Sequence, residues 1–131
     1  MAGTQDFEIV TFPSSDGLRL SARDYAPREN QNRLPVICLA GLSRNSRDFH
    51  LIARHLSSHE SRSRRVITLD TRGRGQSERD PDPSRYTVAH EAGDVLDLCR
   101  HLGIERAIFI GTSRGGLILH LLAATHPELM A

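Results

Sequence analysis

The stretch Arg106-Ala107-Ile108-Phe109-Ile110-Gly111-Thr112-Ser113-Arg114-Gly115-Gly116-Leu117 decides how this chain folds. Its first half, 106–111, is an apolar run without alternation, the pattern of a strand covered on both faces. Beyond it, Leu117-Ile118-Leu119-His120-Leu121-Leu122-Ala123-Ala124 is apolar almost all round, which suits a helix buried on most of its surface and stopped by Pro127. The seam between them reads Gly111-Thr112-Ser113-Arg114-Gly115. A strand that becomes a helix within so short a turn brings the two backbones together, and Gly111 and Gly115 must lack side chains to avoid a clash. Ser113 is then held in a strained backbone conformation with its hydroxyl projecting above the sheet. The N-terminus of the following helix offers free N–H groups and a partial positive charge to a developing oxyanion.

Upstream, two further runs share the pattern of the first: Val36-Ile37-Cys38-Leu39-Ala40, ending at Gly41, and Arg65-Val66-Ile67-Thr68-Leu69-Asp70. Helical patterns lie between the runs. Ser46 is placed to cap one carrying Phe49, Ile52, Ala53 and Leu56. Thr87 is placed to cap another carrying Val88, Ala92, Val95, Leu98 and Leu102, closed by Gly103. Ahead of these, 7–12 and 18–25 read as strands around the turn Pro13-Ser14-Ser15-Asp16-Gly17, a hairpin. A polar loop over 27–35 separates that hairpin (1–27) from the βα units (34–126). Strands alternating with helices imply an α/β fold with a mostly parallel sheet and helices on both faces. One domain, 1–131, holds all of it.

Composition narrows the chemistry. The 131 residues carry 17 Lys+Arg and 16 Asp+Glu, and every basic residue among the 17 is arginine. Without lysine there is no Walker-A lysine and no Schiff base to pyridoxal phosphate. Near-neutral charge gives no electrostatic case for nucleic acid or a membrane surface. The N-terminal Met1-Ala2-Gly3-Thr4-Gln5-Asp6 is polar and unlike a signal peptide. No apolar stretch approaches the ~20 residues of a spanning helix, so a cytoplasmic location is expected. Cys38 and Cys99 lie in apolar stretches and read as small buried hydrophobes.

With these elements placed, the sequence resembles the α/β-hydrolase superfamily over nearly its whole length. Gly111 to Gly115 is similar to that family's nucleophile elbow, G-x-S-x-G, where a strand meets a helix. Leu39-Ala40-Gly41-Leu42 occupies the place of the His-Gly segment after the third strand, with Ala40 in place of the common His. Asp70-Thr71-Arg72-Gly73-Arg74-Gly75-Gln76-Ser77 resembles the family's D-x-R-G-x-G-x-S loop after the fourth strand. The resemblance implies a serine hydrolase acting on an ester, lactone or related acyl bond, with Ser113 as nucleophile. It implies oxyanion donors at the backbone N–H groups of Leu42 and Arg114, a small-molecule substrate, and neither cofactor nor metal. Arg114, a large cation beside the nucleophile, either attracts a carboxylate-bearing substrate or folds away into an ion pair. The rival from a different class is a non-catalytic α/β-hydrolase-like chain that binds a partner.

The family's chain order is Ser, then Asp or Glu, then His. Only Arg114 to Ala131 follow Ser113 here, and His120 lies about 10 Å further along the helix axis. A general base must reach within about 2.6–3.2 Å, so neither His120 nor His126 can serve, and the acid and histidine are expected beyond residue 131. The chain therefore reads as an N-terminal hydrolase portion, truncated after the elbow helix and nearly inactive alone. Its fifth strand is left as an open edge, a pairing surface.

Other features read as structural. Gly73-Arg74-Gly75 fails the dinucleotide pattern because Glu78 holds the third glycine position, and Gly111 to Gly116 fails the phosphate-loop pattern because Leu117 replaces lysine. Asp70 is expected to hydrogen-bond the Gly-rich loop behind it. Arg62, Arg64 and Arg65 read as a solvated loop. His50, His55 and His59 read as surface histidines rather than a zinc pair, since no third ligand is apparent. His90 and His101 carry no signal.

Overall fold

The computed structural model describes residues 6–29, 32–42 and 44–131. The N-terminal residues 1–5, on which most of the signal-peptide reading falls, and the centre of the 27–35 loop lie outside the described residues. Five strands form one sheet: β1 (Glu8–Pro13), β2 (Arg19–Tyr25), β3 (Val36–Leu39), β4 (Val66–Asp70) and β5 (Ile108–Gly111). The order across the sheet is β1-β2-β4-β3-β5. β4, β3 and β5 run parallel, whereas the β1–β2 hairpin pairs antiparallel and joins β4 antiparallel through Ser21 opposite Asp70. The sheet is therefore mixed, with its parallel part where the unalternating runs lie.

Those runs lack alternation because the two faces of the sheet feed different cores. Ile37, Leu39, Ile67 and Leu69 point into a cluster with α2 (Val88–Leu102) and α3 (Arg114–Thr125). Val36, Cys38, Ala40 and Val66 point the other way, into a cluster with Phe49 and Ala53. The period of two is intact; both sides are simply dry. Burial also raises both thiols, Cys38 to about 12 and Cys99 to about 11, so neither is a nucleophile at neutral pH.

α2 begins and ends as its sequence requires. Thr87 accepts from the His90 amide, and Gly103 closes the helix at φ 68°. The first helix differs from expectation. Asn45, not Ser46, supplies the cap, and it caps a 3-10 turn, Ser46–Phe49, which leads into α1 (His50–Ser58). Ser46 is buried because its amide donates to Asp70 Oδ1 at 2.8 Å. The tighter turn shifts the apolar phase, leaving Ile52 exposed while Ala53 packs inward.

Of the arginines ahead of β4, Arg62 is exposed as expected, whereas Arg64 and Arg65 depart from a solvated loop. Arg65 forks onto Asp24 at 2.8 and 3.0 Å, and Arg64 donates to the Leu34 carbonyl. Together they fasten β4 to β2 and to the start of β3. β5 stands at the sheet edge, as expected, but the edge is partly taken. Ala107 forms a parallel bridge to Met130, its N–H donating to Leu129 and its carbonyl accepting from Ala131. Among the described residues no helix is long and apolar enough to cross a membrane.

Candidate active site

At the end of β5 the chain turns into α3 over two residues. Thr112 N–H donates to Leu39 O at 3.1 Å, and Gly115 N–H donates back to Thr112 O at 2.9 Å. Ser113, between them, sits at φ 51°, ψ −114°, and among the described residues it is the one non-glycine with positive φ. Such a conformation costs on the order of 1–3 kcal/mol, supplied by the packing around it. Its side chain is exposed at the carboxyl end of the parallel strands.

The flanking glycines are required by contact. A Cβ on Gly115 would lie 2.2 Å from Leu39 O, and one on Gly111 would lie 2.7 Å from the Gly115 carbonyl. Both obstacles are backbone and cannot swing away. Gly115→Ala is therefore expected to cost more than about 3 kcal/mol, beyond ordinary overpacking. At Gly116 the nearest atom to an added Cβ is 3.8 Å away, so Gly116→Ala should be neutral or stabilise by up to about 1 kcal/mol through helix propensity. Urea unfolding of the two variants side by side checks the contrast.

The segment after β3 reaches the same place. A Cβ at Gly41 would be 3.4 Å from Ser113 Cβ, so Gly41 passes directly beside the serine, with Leu42 next in the chain. Among the described residues, the amides of Leu42 and Arg114 donate to no backbone carbonyl. Ser113 and Arg114 follow the end of β5, and Leu42 follows the end of the neighbouring β3. Among the described residues, no histidine joins them. His126 Nδ1 is bonded to Thr125 Oγ1, and His120 is exposed further along α3. His50 bonds the Tyr25 hydroxyl, His59 accepts from the amides of Ser61 and Arg62, and His90 bonds the cap Thr87.

Arg114 resolves toward an ion pair. Its Nε lies 3.1 Å from both oxygens of Glu91, its Nη2 pairs with Glu91 Oε2, and Nη2 also donates to Tyr86 O at 3.2 Å. Glu91 is buried, 4% exposed, in the first turn of α2. The pair holds the start of α3 against α2, and so fixes the residue whose amide follows the serine. Glu91 was not legible as a partner, because nothing in a linear sequence pairs residues 91 and 114.

The loop after β4 is a second rigid element. Asp70 accepts from the amides of Ser46 and Gln76 at 2.8 and 3.0 Å, the bonding role expected of it. Gly75, at φ 51°, presses so close to that carboxylate that a Cβ would overlap it. Arg72 is 1% exposed at its side chain and bonds Asp94, Asp16 and Asp80 together. Arg72 thereby holds the Asp16 carboxyl down at about 2, against an ordinary 3.8. Because the folded value is the lower one, the stability Asp16 contributes is present above about pH 4 and is lost as pH falls toward 2. Asp16→Asn should flatten that part of the stability–pH curve, read by urea unfolding between pH 5 and 2.

A sequence model described as the alpha/beta hydrolase fold matches residues 35–131. The chain belongs to the α/β-hydrolase family. Its solved relatives agree in shape. An α/β hydrolase from Novosphingobium aromaticivorans superposes with a TM-score of 0.89 at 42% identity, covering 98% of this chain and 43% of that one. Among curated α/β hydrolases, the 3-hydroxybutyrate-oligomer hydrolase of Cupriavidus necator is 37% identical over 83 residues, 63% of this chain and 27% of its own. The sn-1-specific diacylglycerol lipase ABHD11 of Danio rerio is 31% identical over 96 residues, 73% of this chain and 29% of its own. The chain therefore spans well under half the length of these α/β hydrolases.

Proposed function

We propose that the complete protein is a serine hydrolase cleaving an ester, lactone or related acyl bond of a small molecule, and that Ser113 is its nucleophile. The observation carrying this reading is Ser113 itself: an exposed serine held at φ 51° between two glycines that have no room for a Cβ. Strain kept at an exposed polar side chain, with helix N–H groups behind it, suits a nucleophile better than a structural turn residue.

In the proposed reaction Ser113 Oγ attacks the carbonyl carbon, and its proton passes to a histidine contributed from beyond Ala131. The oxyanion is held by the amides of Leu42 and Arg114, each worth about 2.7–4 kcal/mol in comparable hydrolases. Collapse of the tetrahedral adduct expels the alcohol, which takes the proton back, and water then hydrolyses the acyl-serine. No cofactor enters any step. The isolated bridge of Met130 to Ala107 lies along the sheet edge next to β5, where a further strand of the complete protein would pair. Residues 1–131 alone, lacking the base, should be almost inactive.

The test is pre-steady-state hydrolysis of p-nitrophenyl acetate by the complete protein. The reading predicts a burst of p-nitrophenol of one equivalent per chain, the mark of an accumulating acyl-enzyme. Absence of any turnover on acyl esters would favour the binding-protein alternative.

A further inference from the structure

Beside the Leu42 and Arg114 amides lies a cavity of about 140 Å³, whose lining also includes Ala40, Thr71, Arg74 and Glu91. Its charge is unbalanced. Arg72, also in the lining, spends its guanidinium on three aspartates and the Arg85 carbonyl. Arg114 is balanced by Glu91, the one lining carboxylate. Arg74 has no ion pair among the described residues; its guanidinium makes one long bond, 3.4 Å, to the neighbouring Gly73 carbonyl. Arg114 Nη1 and the Thr71 hydroxyl likewise make no hydrogen bond among the described residues. The lining thus carries unspent donors and one unspent positive charge, while its carboxylate is already engaged.

From this we infer that the cavity is a carboxylate subsite, with Arg74 as its principal ligand, and that the substrate is an ester bearing a free carboxylate near the scissile bond. The inference rests on the reading of Ser113 as nucleophile for its placement within the reaction, though not for the binding itself. Guanidinium and carboxylate match as a planar two-bond fork, which gives orientation as well as attraction. About 140 Å³ has room for about five waters at ~30 Å³ each, enough for a carboxylate on a short carbon chain. Leu42 and Arg114 line this cavity and are the proposed oxyanion donors, so a carboxylate held here would lie on the oxyanion side of the scissile bond.

The experiment titrates sodium propionate and, separately, propionamide into the complete protein carrying Ser113→Ala, so that no chemistry intervenes. Arginine Nε–H resonances are the readout. The inference predicts saturable propionate binding that moves the Arg74 resonance, with propionamide at least tenfold weaker. Arg74→Gln should weaken propionate at least tenfold, and Arg74→Lys, which keeps charge but loses the fork, should weaken it less. Equal binding of acid and amide, or propionate binding unaffected in Arg74→Gln, would overturn it. Catalysis gives the second arm: the ratio of kcat/KM for a succinate half-ester over its methyl-capped analogue should exceed ten and collapse in Arg74→Gln. Loss of that ratio with hydrolysis intact sinks the subsite alone. Hydrolysis that survives Ser113→Ala sinks the nucleophile reading and leaves the binding result standing.

Discussion

In the complete protein, Ser113→Ala is expected to lower kcat by about 10⁶-fold with KM little changed. The oxygen it removes acts only once bonding to the carbonyl begins, so ground-state binding is spared and the transition state is not. What survives is the contribution of the Leu42 and Arg114 amides and of substrate positioning, about 10³–10⁴ over the reaction in water. Folding should not suffer, since the side chain is exposed and makes no hydrogen bond among the described residues. Steady-state kinetics with denaturant unfolding of the same samples separates the two effects. A fall of tenfold or less would give Ser113 a supporting role only.

Arg72→Ala carries the largest expected loss of stability. Its guanidinium holds Asp94 through two bonds of 2.6 and 2.8 Å, Asp16 through bonds of 2.9 and 3.1 Å, and Asp80 at 3.1 Å. Asp80 and Asp94 are 1% and 2% exposed at their side chains. Removing one partner of a buried pair leaves an uncompensated charge and costs about 3–5 kcal/mol; here two buried carboxylates are stranded. Arg85 still reaches Asp80 at 3.0 Å and softens the loss there, but no second cation pairs with Asp94 among the described residues. Arg72→Lys should recover only part, because one ammonium cannot form two forks. The destabilisation should shrink as pH falls and the stranded carboxylates take up protons. Urea unfolding at pH 7 and pH 4 measures both statements.

Much of the fold was legible because the relevant signals are local. Unalternating runs at 36–40 and 65–70 reported strands buried on two faces, and the run at 106–111 reported a strand that is only half-buried at the sheet edge. Thr87 and Gly103 reported the ends of α2, and the glycines at 111 and 115 reported a turn with no room for Cβ. Ser46 misled for a physical reason: Asn45 beside it is an equally good cap, and Ser46 was drawn inward by the distant Asp70. Tertiary contact, not capping preference, settled that helix start. The candidate nucleophile and both amides were readable in the same way, since each belongs to a strand end marked by glycine.

The polar framework was not. Arg72 joins the turn of the first hairpin, the loop after β4 and α2, and Glu91 reaches Arg114 across the start of two helices. Such pairs depend on separations set by the whole sheet, which no local window contains. The same limit hid the charge imbalance of the cavity at Arg74, which arises because Arg72 and Arg114 are paired and Arg74 has no ion pair among the described residues.

Treating the complete protein with a fluorophosphonate and locating the adduct by peptide mass spectrometry tests whether Ser113 is an activated nucleophile. One adduct per chain is expected, on Ser113 alone, abolished by prior denaturation. An adduct on another residue, or an active hydrolase that carries no adduct at Ser113, would contradict it.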